Sequence, residues 1–236
     1  MLMDIGVTSS KRRLRTICLT SIKSCLSSDR RICLRKTGRF KHLNTYLKEF
    51  LALPAHYRRN PAHPLVNGAE SGMGREYRVM RETMCERFSW AVPTNEAVDR
   101  IVAFAGKGGV IEIGCGNGYW LSLLSQHLPY VGIDACPVKR QYVKVVKGTE
   151  RFLSTCDAIY LQVLLLCWPP YKSPMALRSL EMWKGPRLVY IGEQGARGCA
   201  EPMFFHKLAT DWRLVEEVDI PQWFNRSDKV YLYTRA

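Results

Sequence analysis

The sequence predicts an α/β fold in which a doubly wound, mixed sheet of seven strands follows a basic N-terminal extension. Two observations carry this prediction. Between residues 95 and 211, short apolar runs alternate with helical patterns, which is typical of parallel strands joined by crossover helices. The last two apolar runs, by contrast, are separated by a loop alone. The final strand is therefore expected to run antiparallel to the strand before it.

The N-terminal quarter carries most of the positive charge. Residues 1–60 contain 14 Lys and Arg residues against three acidic residues, whereas residues 61–236 contain 21 against 18. Residues 1–40 are rich in Arg and Ser and poor in acids. They are interpreted either as an organelle transit peptide or as a basic arm that contacts RNA or a ribonucleoprotein. A solvated, poorly ordered tail is the interpretation without a function.

Cysteine usage and hydropathy limit the location of the protein. The nine cysteines form an odd set without a CxxC pair, which excludes the common zinc-ribbon spacings and indicates a reduced intracellular compartment. No apolar run approaches the roughly 18 residues of a membrane-spanning helix, and no metal site is predicted. The compartment is expected to be the mitochondrial matrix if residues 1–40 are a transit peptide, and the cytoplasm otherwise.

Three segments are predicted along the chain. Residues 1–40 form the basic extension. Residues 41–73 begin with an amphipathic helix over 41–53 and continue as a linker that is dense in Pro, Gly and Asn. The folded domain is predicted over residues 74–236.

The helices of this domain are predicted from apolar side chains three and four residues apart. They cover residues 76–88, 95–106, 119–128, 173–183 and 201–211. Thr94 is predicted to cap the second of them. A further short helix is expected between the second and third strands.

The seven strands are predicted from short apolar runs. They cover residues 110–114, 130–134, 142–146, 158–167, 187–192, 213–220 and 229–235. The fourth run lacks the alternation of a half-exposed strand, so it is expected to lie at the centre of the sheet, covered on both faces.

A glycine-rich loop follows the first predicted strand and opens a helix. It reads Glu112-Ile-Gly-Cys-Gly-Asn-Gly118, and Asp134 ends the second strand 20 residues after Gly114. Glycines let a backbone approach a ligand closely, and an acid at the end of the second strand accepts hydrogen bonds from ribose hydroxyls. This combination predicts a cofactor that contains adenosine.

Three details narrow the type of cofactor. Tyr119 stands where a dinucleotide fingerprint has Gly or Ala, and no GxxxxGK[ST] motif of a P-loop is present. Glu112, just before the glycines, would repel a pyrophosphate but suits a ligand that carries an ammonium group.

Over residues 88–235 these motifs resemble those of the class I S-adenosylmethionine-dependent methyltransferases. VIEIGCGNG (110–118) resembles the first motif of that family, and GIDA (132–135) resembles the second. FSWAVPT (88–94) is similar to a segment that folds over the cofactor. The resemblance implies a Rossmann-like methyltransferase fold, S-adenosylmethionine as the cofactor and methyl transfer as the reaction.

The resemblance also implies which residues hold the cofactor. The first motif would surround the methionine part, Asp134 would bind the ribose, and an acid after the third strand would read the adenine amino group. The residues that match these positions are Glu112, Gly114, Cys115, Gly116, Asn117, Gly118, Asp134, Thr149, Glu150 and Cys167.

The loop after the fourth strand, LLLCWPPY (164–171), resembles the fourth motif of the family, and this resemblance implies a position beside the transferred methyl group. Its predicted catalytic residues are Trp168, Pro169, Pro170 and Tyr171. In family members that act on exocyclic amino groups, an Asn or Asp precedes Pro-Pro-Tyr or Pro-Pro-Trp and accepts a hydrogen bond from the amino group. Trp168 stands at that position, and an indole N–H donates but cannot accept. Amino-group methylation by that route is therefore not expected.

Two interpretations are open for the aromatic residues of this loop. In the first, Tyr171 stacks on the substrate, and Trp168 packs on the cofactor or offers a π face to the sulfonium. In the second, both rings close the core at the end of a buried strand. Glu193 and Gln194, after the fifth strand, are likewise either substrate ligands or solvated turn residues.

The predicted function is S-adenosylmethionine-dependent methyl transfer to an unknown acceptor. RNA is the first hypothesis, because a basic arm accompanies aromatic residues near the site. A small molecule or a protein side chain comes next. The alternative is a non-catalytic, methyltransferase-like module that acts in RNA binding or in ribonucleoprotein assembly.

Overall fold

A computed structural model describes residues 44–62, 65, 73–155, 160–195 and 199–236 of the chain. The predicted basic extension, residues 1–40, lies outside the described residues. So do residues 63–64 and 66–72 of the predicted linker.

Seven strands form one sheet in the order β3-β2-β1-β4-β5-β7-β6. The strands are β1 (Gly109–Ile113), β2 (Tyr130–Asp134), β3 (Val145–Lys147), β4 (Leu161–Cys167), β5 (Arg187–Gly192), β6 (Trp212–Asp219) and β7 (Lys229–Arg235). Strands β1 to β5 pair in parallel, whereas β7 pairs antiparallel with both β5 and β6. This arrangement confirms the predicted doubly wound, mixed sheet of seven strands.

Six α-helices are described. They are α1 (Thr45–Ala52), α2 (Gly74–Arg87), α3 (Asn95–Ala105), α4 (Tyr119–Leu124), α5 (Met175–Met182) and α6 (Pro202–Asp211). The Thr94 side chain accepts a hydrogen bond from the Ala97 N–H, so the predicted cap of α3 is confirmed. Two 3-10 helices, Ala55–Tyr57 and Glu150–Thr155, complete the described helical turns.

The segment between β2 and β3 differs from the prediction. No helix forms there, and β3 begins at Val145, three residues later than predicted. The Tyr142 N–H donates to the Asn117 carbonyl of the glycine-rich loop. Tyr142 therefore does not join the sheet.

The sheet is covered on both faces. On one face, α5, α6 and the 3-10 helix Glu150–Thr155 contribute to a core cluster, and on the other face α3 and α4 do so. Strand β4 shows the alternation clearly, since Leu164 and Leu166 belong to the first cluster, and Val163 and Leu165 to the second. All four side chains are fully buried, which confirms β4 as the predicted central strand.

A third cluster, made mainly of aromatic residues, joins α1 to the rest of the fold. Tyr46 and Phe50 of α1 are buried against residues of α2, the glycine-rich loop region and the β6–β7 loop. The Asn44 side chain caps α1 and also donates to the Pro93 carbonyl at 2.6 Å. Helix α1, predicted to precede the folded domain, therefore packs as part of its core. The spacing of the apolar residues predicts the helix. It does not predict which distant residues its apolar face contacts.

Candidate cofactor and acceptor site

A cavity of about 550 Å³ opens at the carboxyl ends of β1, β2 and β4, where ligands of doubly wound sheets bind. Most of the predicted site residues line it: Glu112, Gly114, Cys115, Gly116, Asn117, Asp134, Thr149, Glu150, Cys167, Trp168 and Pro170. Gly118, Pro169 and Tyr171 do not. The sheet topology thus brings together side chains that are up to 58 residues apart in the sequence.

The glycine-rich loop turns through left-handed backbone conformations. Gly116 has φ +57°, and a Cβ built on it would meet no protein atom within 4 Å. The space beside Gly116 is therefore open on the cavity side, as a close approach to a ligand requires. At Gly118 a side chain is excluded by packing, because a Cβ there would lie only 2.5 Å from Val143 Cγ2.

The Asp134 carboxylate is fixed by two backbone amides. Its Oδ2 accepts from the Gly116 N–H at 2.9 Å, and its Oδ1 accepts from the Cys136 N–H at 2.8 Å. Each oxygen of a carboxylate accepts more than one hydrogen bond. Asp134 therefore keeps acceptor capacity toward the cavity in a fixed orientation, which suits a pair of vicinal hydroxyls.

Glu112 brings a buried carboxylate to the floor of the cavity. It is 2% exposed, and its Oε2 has no hydrogen-bond partner among the described residues. Burial, with a further contribution from Asp134, raises the pKa of Glu112 well above its usual value. An unpartnered buried acid at a cavity is satisfied by a cation or by a strong donor on a ligand.

Asn117 anchors the glycine-rich loop. Its Nδ2 donates to the Glu86 and Arg87 carbonyls at the end of α2, and its Oδ1 accepts from the Tyr119 N–H. The donors and acceptor of this side chain are thereby used within the protein. Asn117 lines the cavity, but its contacts are those of a structural residue.

Thr149 and Glu150 lie at the far end of the cavity, where β3 leads into a 3-10 helix. Glu150 is 7% exposed, and Arg178 of α5 approaches its Oε1 at 3.6 Å. The Thr149 hydroxyl accepts from the Arg151 N–H at 3.4 Å. Three acids therefore line the cavity: Glu150 after β3, Asp134 at the end of β2 and Glu112 in β1.

Thiols line the side of the cavity near β4. Cys167 lies 3.6 Å from the Ser89 hydroxyl, and burial is the main cause that raises its pKa well above the usual value. Burial likewise raises the pKa of Cys85 to about 12. Both thiols are neutral near pH 7, so neither is a nucleophile.

Trp168 adopts a left-handed backbone conformation with φ 48°, which costs a non-glycine residue about 1–2 kcal/mol. Two hydrogen bonds hold it there. Its N–H donates to the Ile191 carbonyl, and its indole Nε1–H donates to Asp228 Oδ1 at 2.8 Å. The indole donor is therefore used within the protein and is not free for a substrate.

A buried cluster of charges lies behind Trp168. Glu193 is fully buried and accepts from the Arg226 guanidinium and from both the N–H and the hydroxyl of Ser227. Asp228 is also fully buried. Glu193, proposed from sequence as a ligand or a turn residue, thus lies in the interior and fixes the β6–β7 loop. Gln194 donates to the Tyr233 hydroxyl at 3.0 Å.

In the remainder of the Pro-Pro-Tyr loop, Pro170 lines the cavity and Pro169 and Tyr171 do not. Pro169 is buried and its carbonyl accepts from the Ala200 N–H, while Pro170 forms an isolated bridge with Cys199. Tyr171 is 39% exposed and lies outside the cavity lining.

Three residues that contact Trp168 were not singled out from sequence: Arg81, Trp90 and Asp228. Trp90 lies in the segment 88–94, which the resemblance places over the cofactor, but no local signal marks it within that segment. Asp228 ends a polar loop, so the sequence gives no indication that this side chain is completely buried. Arg81 lies on a predicted helix, where an arginine is ordinarily solvated.

The described residues contain no group of three or more His, Cys, Asp or Glu side chains that could hold a metal ion. Within the same residues, no helix is both long and apolar enough to cross a membrane.

The chain matches no protein-family model and no curated protein. It is similar to several solved structures. N-methyltransferase NodS from Bradyrhizobium japonicum, in complex with S-adenosylhomocysteine, is 15% identical, with a TM-score of 0.45 over 59% of this chain and 84% of that one. Magnesium protoporphyrin IX methyltransferase from Synechocystis, with bound S-adenosylmethionine, is 13% identical, with a TM-score of 0.40 over 85% of this chain and 100% of that one.

A protein of the NADB-Rossmann superfamily from Streptococcus agalactiae is 11% identical, with a TM-score of 0.42 over 62% of this chain and 70% of that one. Because these identities are low, a ligand is assigned to this chain only from the chain's own residues.

Proposed function

We propose that the chain is an S-adenosylmethionine-dependent methyltransferase whose cofactor binds in the cavity at the carboxyl ends of β1, β2 and β4. The observation that carries the proposal is the pair of acids Glu112 and Asp134, which line the same cavity as the open loop at Gly116. Glu112 is buried with an oxygen that lacks a partner among the described residues, and a cation or a strong donor on a ligand would satisfy it. Asp134 is oriented by amides as a hydroxyl acceptor.

S-adenosylmethionine carries both complementary groups. Its ammonium matches Glu112 and its ribose diol matches Asp134. Thr149 and Glu150 lie where its adenine would end, and Cys167 and Trp168 lie at the opposite side of the cavity, where an acceptor would enter. The residues present therefore fit this cofactor.

The cofactor, when bound, supplies an activated methyl group on a sulfonium. The chain contributes position and environment. Glu112 orients the ammonium, Asp134 orients the ribose, and Trp90, Cys167 and Trp168 exclude water from the acceptor end. The buried thiols stay neutral and do not compete with the acceptor for the methyl group.

RNA is the first hypothesis for the acceptor, and a small molecule or a protein side chain comes next. The support for RNA is the net charge of residues 1–60, which hold 14 basic and three acidic residues. The alternative, a non-catalytic module, is not favoured, because both acids and the open glycine loop are retained at the cavity.

Replacement of Asp134 by Ala tests the cofactor assignment. Calorimetry with S-adenosylmethionine is expected to show binding to the wild-type chain and none to Asp134→Ala, because the variant loses the carboxylate that the Gly116 and Cys136 amides hold in place for the diol. Asp219→Ala is the matched control, since Asp219 also ends a strand but is an exposed partner of Lys229. Absence of binding to the wild-type chain would overturn the proposal.

Replacement of Glu112 by Gln tests the ammonium contact. The variant keeps the shape of the side chain but loses its charge, so binding is expected to weaken by about 2 kcal/mol, roughly 30-fold. Because burial raises the pKa of Glu112, wild-type affinity is expected to rise with pH as the carboxyl ionises. Titration calorimetry over a series of pH values checks this. If the affinity of Glu112→Gln for S-adenosylmethionine depends on pH in the same way as that of the wild type, the contact between Glu112 and the ammonium group is contradicted.

Deletion of residues 1–43 tests the basic extension. The deletion stops before Asn44, because Asn44 caps α1, and α1 belongs to the core. If the extension is an RNA-binding arm, the shortened protein is expected to lose RNA binding and its steep salt dependence. If it is a transit peptide, mass spectrometry of the protein from cells is expected to find an N-terminus beyond residue 1, and the protein in the mitochondrial matrix.

A further inference from the structure

Trp90 presents an aromatic face at the acceptor end of the cavity. It lies between α2 and α3, lines the cavity, and is 40% exposed. We infer that the methyl acceptor stacks on Trp90, and that the acceptor therefore carries a planar aromatic group. The inference rests on the proposed methyltransferase function, because it assigns the acceptor of that reaction.

The groups that pack against Trp90 lie on one side of its ring. The Trp168 ring centroid lies 5.6 Å from that of Trp90, with the planes 25° apart. The Arg81 guanidinium carbon lies 5.1 Å from the Trp90 centroid and 5.6 Å from the Trp168 centroid. Two groups on opposite faces of a ring would be about 10 Å apart, as twice the cation–π or stacking distance requires. Arg81 and Trp168 therefore share one side of Trp90.

The opposite face of Trp90 has no aromatic ring or guanidinium packed on it among the residues that the structure describes. Its supporting side is rigid, since Arg81 is 8% exposed and Trp168 is fixed through its indole N–H by the buried Asp228. An aromatic face that is held in place and open at a cavity is preorganised for stacking, because little side-chain freedom is lost on binding.

The other aromatic residues of this region are less suitable. Trp168 contacts Trp90, Arg81 and also Arg226, whose guanidinium carbon lies 5.4 Å from its ring centroid. Tyr171 is as exposed as Trp90 but lies outside the cavity lining. Trp90 is therefore the better stacking surface for a group that reaches the cofactor.

A planar acceptor group has two sources: a base of single-stranded RNA, or a free aromatic small molecule. The stacking chemistry is the same for both, and every nucleobase has a π face. Probes of the two kinds distinguish them. Oligouridylate is compared with an abasic oligoribonucleotide of equal length, and benzamide with cyclohexanecarboxamide, which has a similar size but no π face.

The experiment compares full-length wild type with Trp90→Phe and Trp90→Leu. Tyr160→Leu is the matched control, because Tyr160 is 50% exposed but lies at the opposite, amino-terminal end of β4. Binding is measured by fluorescence anisotropy for the oligonucleotides and by saturation-transfer NMR for the amides, with and without S-adenosylhomocysteine. Thermal denaturation verifies that each variant is folded.

Wild type is expected to prefer the planar probe of at least one pair. Trp90→Leu is expected to reduce that preference roughly 5- to 150-fold, whereas Trp90→Phe keeps part of it and Tyr160→Leu keeps all of it. A reduced preference in the oligonucleotide pair assigns an RNA base, and one confined to the amides assigns a small molecule. The inference is overturned if wild type prefers neither planar probe, or if Trp90→Leu retains the preference.

Calorimetry with S-adenosylmethionine on the same samples separates this inference from the proposed function. Cofactor binding without any planar preference overturns the role of Trp90 alone. A planar preference that depends on Trp90, in a protein that does not bind S-adenosylmethionine, overturns the methyltransferase assignment and leaves the stacking surface in place.

Discussion

Replacement of Gly116 by Arg is expected to abolish S-adenosylmethionine binding and to leave the chain folded. Gly116 has φ +57°, and the space beside its Cα contains no protein atom within 4 Å. Because Gly116 lines the cavity, a long side chain there is expected to occupy the space in which the cofactor is proposed to bind. The left-handed conformation adds a strain of about 1–2 kcal/mol, which lowers stability but does not unfold a domain of this size.

Gly74→Arg is the matched control for this prediction. Gly74 has φ +77°, its Cβ would also meet no protein atom within 4 Å, and it does not line the cavity. The two variants are therefore expected to lose similar amounts of thermal stability. Only Gly116→Arg is expected to lose more than about 100-fold in affinity for the cofactor, measured by calorimetry. The reason is that its arginine side chain would occupy the space that the cofactor needs. Equal affinity of the two variants contradicts a cofactor site at this loop.

The sequence predicts those site residues that lie within short, continuous motifs of the chain. Glu112, the glycines and Asp134 follow two apolar runs directly, and the carboxyl ends of parallel strands meet at one edge of the sheet. The structure brings these residues together at one cavity, as the strand pattern implies. Local periodicity was sufficient here because both strands are short and adjacent in the sheet.

The acceptor end depends on contacts that no short stretch of chain encodes. The hydrogen bond from Trp168 to Asp228 joins residues 60 positions apart, and Arg81 reaches both Trp90 and Trp168 from a separate helix. The prediction that Trp168 offers a π face to the sulfonium remains untested, but its ring already contacts Trp90, Arg81 and Arg226. Its environment comes from tertiary packing, which the sequence pattern does not specify.

The same limit explains the role of the N-terminal helix. The apolar spacing of residues 41–53 predicts a helix, and α1 is present. Its partners are Phe88, Tyr119 and Trp223, which belong to three other parts of the chain. The helix therefore extends the core beside the cavity, although the composition of the segment after it is that of a linker.

The buried carboxyl of Asp228 is expected to make stability depend on pH. Burial, with a further contribution from Glu193, raises the pKa of Asp228 to about 7, although Trp168, Arg81 and Arg226 partly offset this. In the unfolded chain the pKa is about 4. Between these values the folded state holds a proton that the unfolded state has lost, so this group's stabilisation declines as pH rises from about 4 to about 7 and is constant above.

Asp228→Asn is therefore expected to be more stable than wild type at pH 8. The amide oxygen still accepts from the Trp168 indole, and the variant has no buried charge to desolvate. Each pKa unit corresponds to about 1.4 kcal/mol, so the stability difference between variant and wild type is expected to be about 3 kcal/mol larger at pH 8 than at pH 5. Urea denaturation at pH 5, 6, 7 and 8 measures this change.

Asp219→Asn is the control for the pH series, because Asp219 is an exposed partner of Lys229 and its ion pair contributes little. Its stability difference from wild type is expected to stay constant between pH 5 and pH 8. If Asp228→Asn is instead less stable than wild type at pH 8, the ionised carboxylate is held by Arg81 and Arg226 as a net favourable charge. The cluster behind Trp168 would then be an ion network that stabilises the fold, rather than a buried acid retained at the expense of stability to orient the wall of the acceptor site.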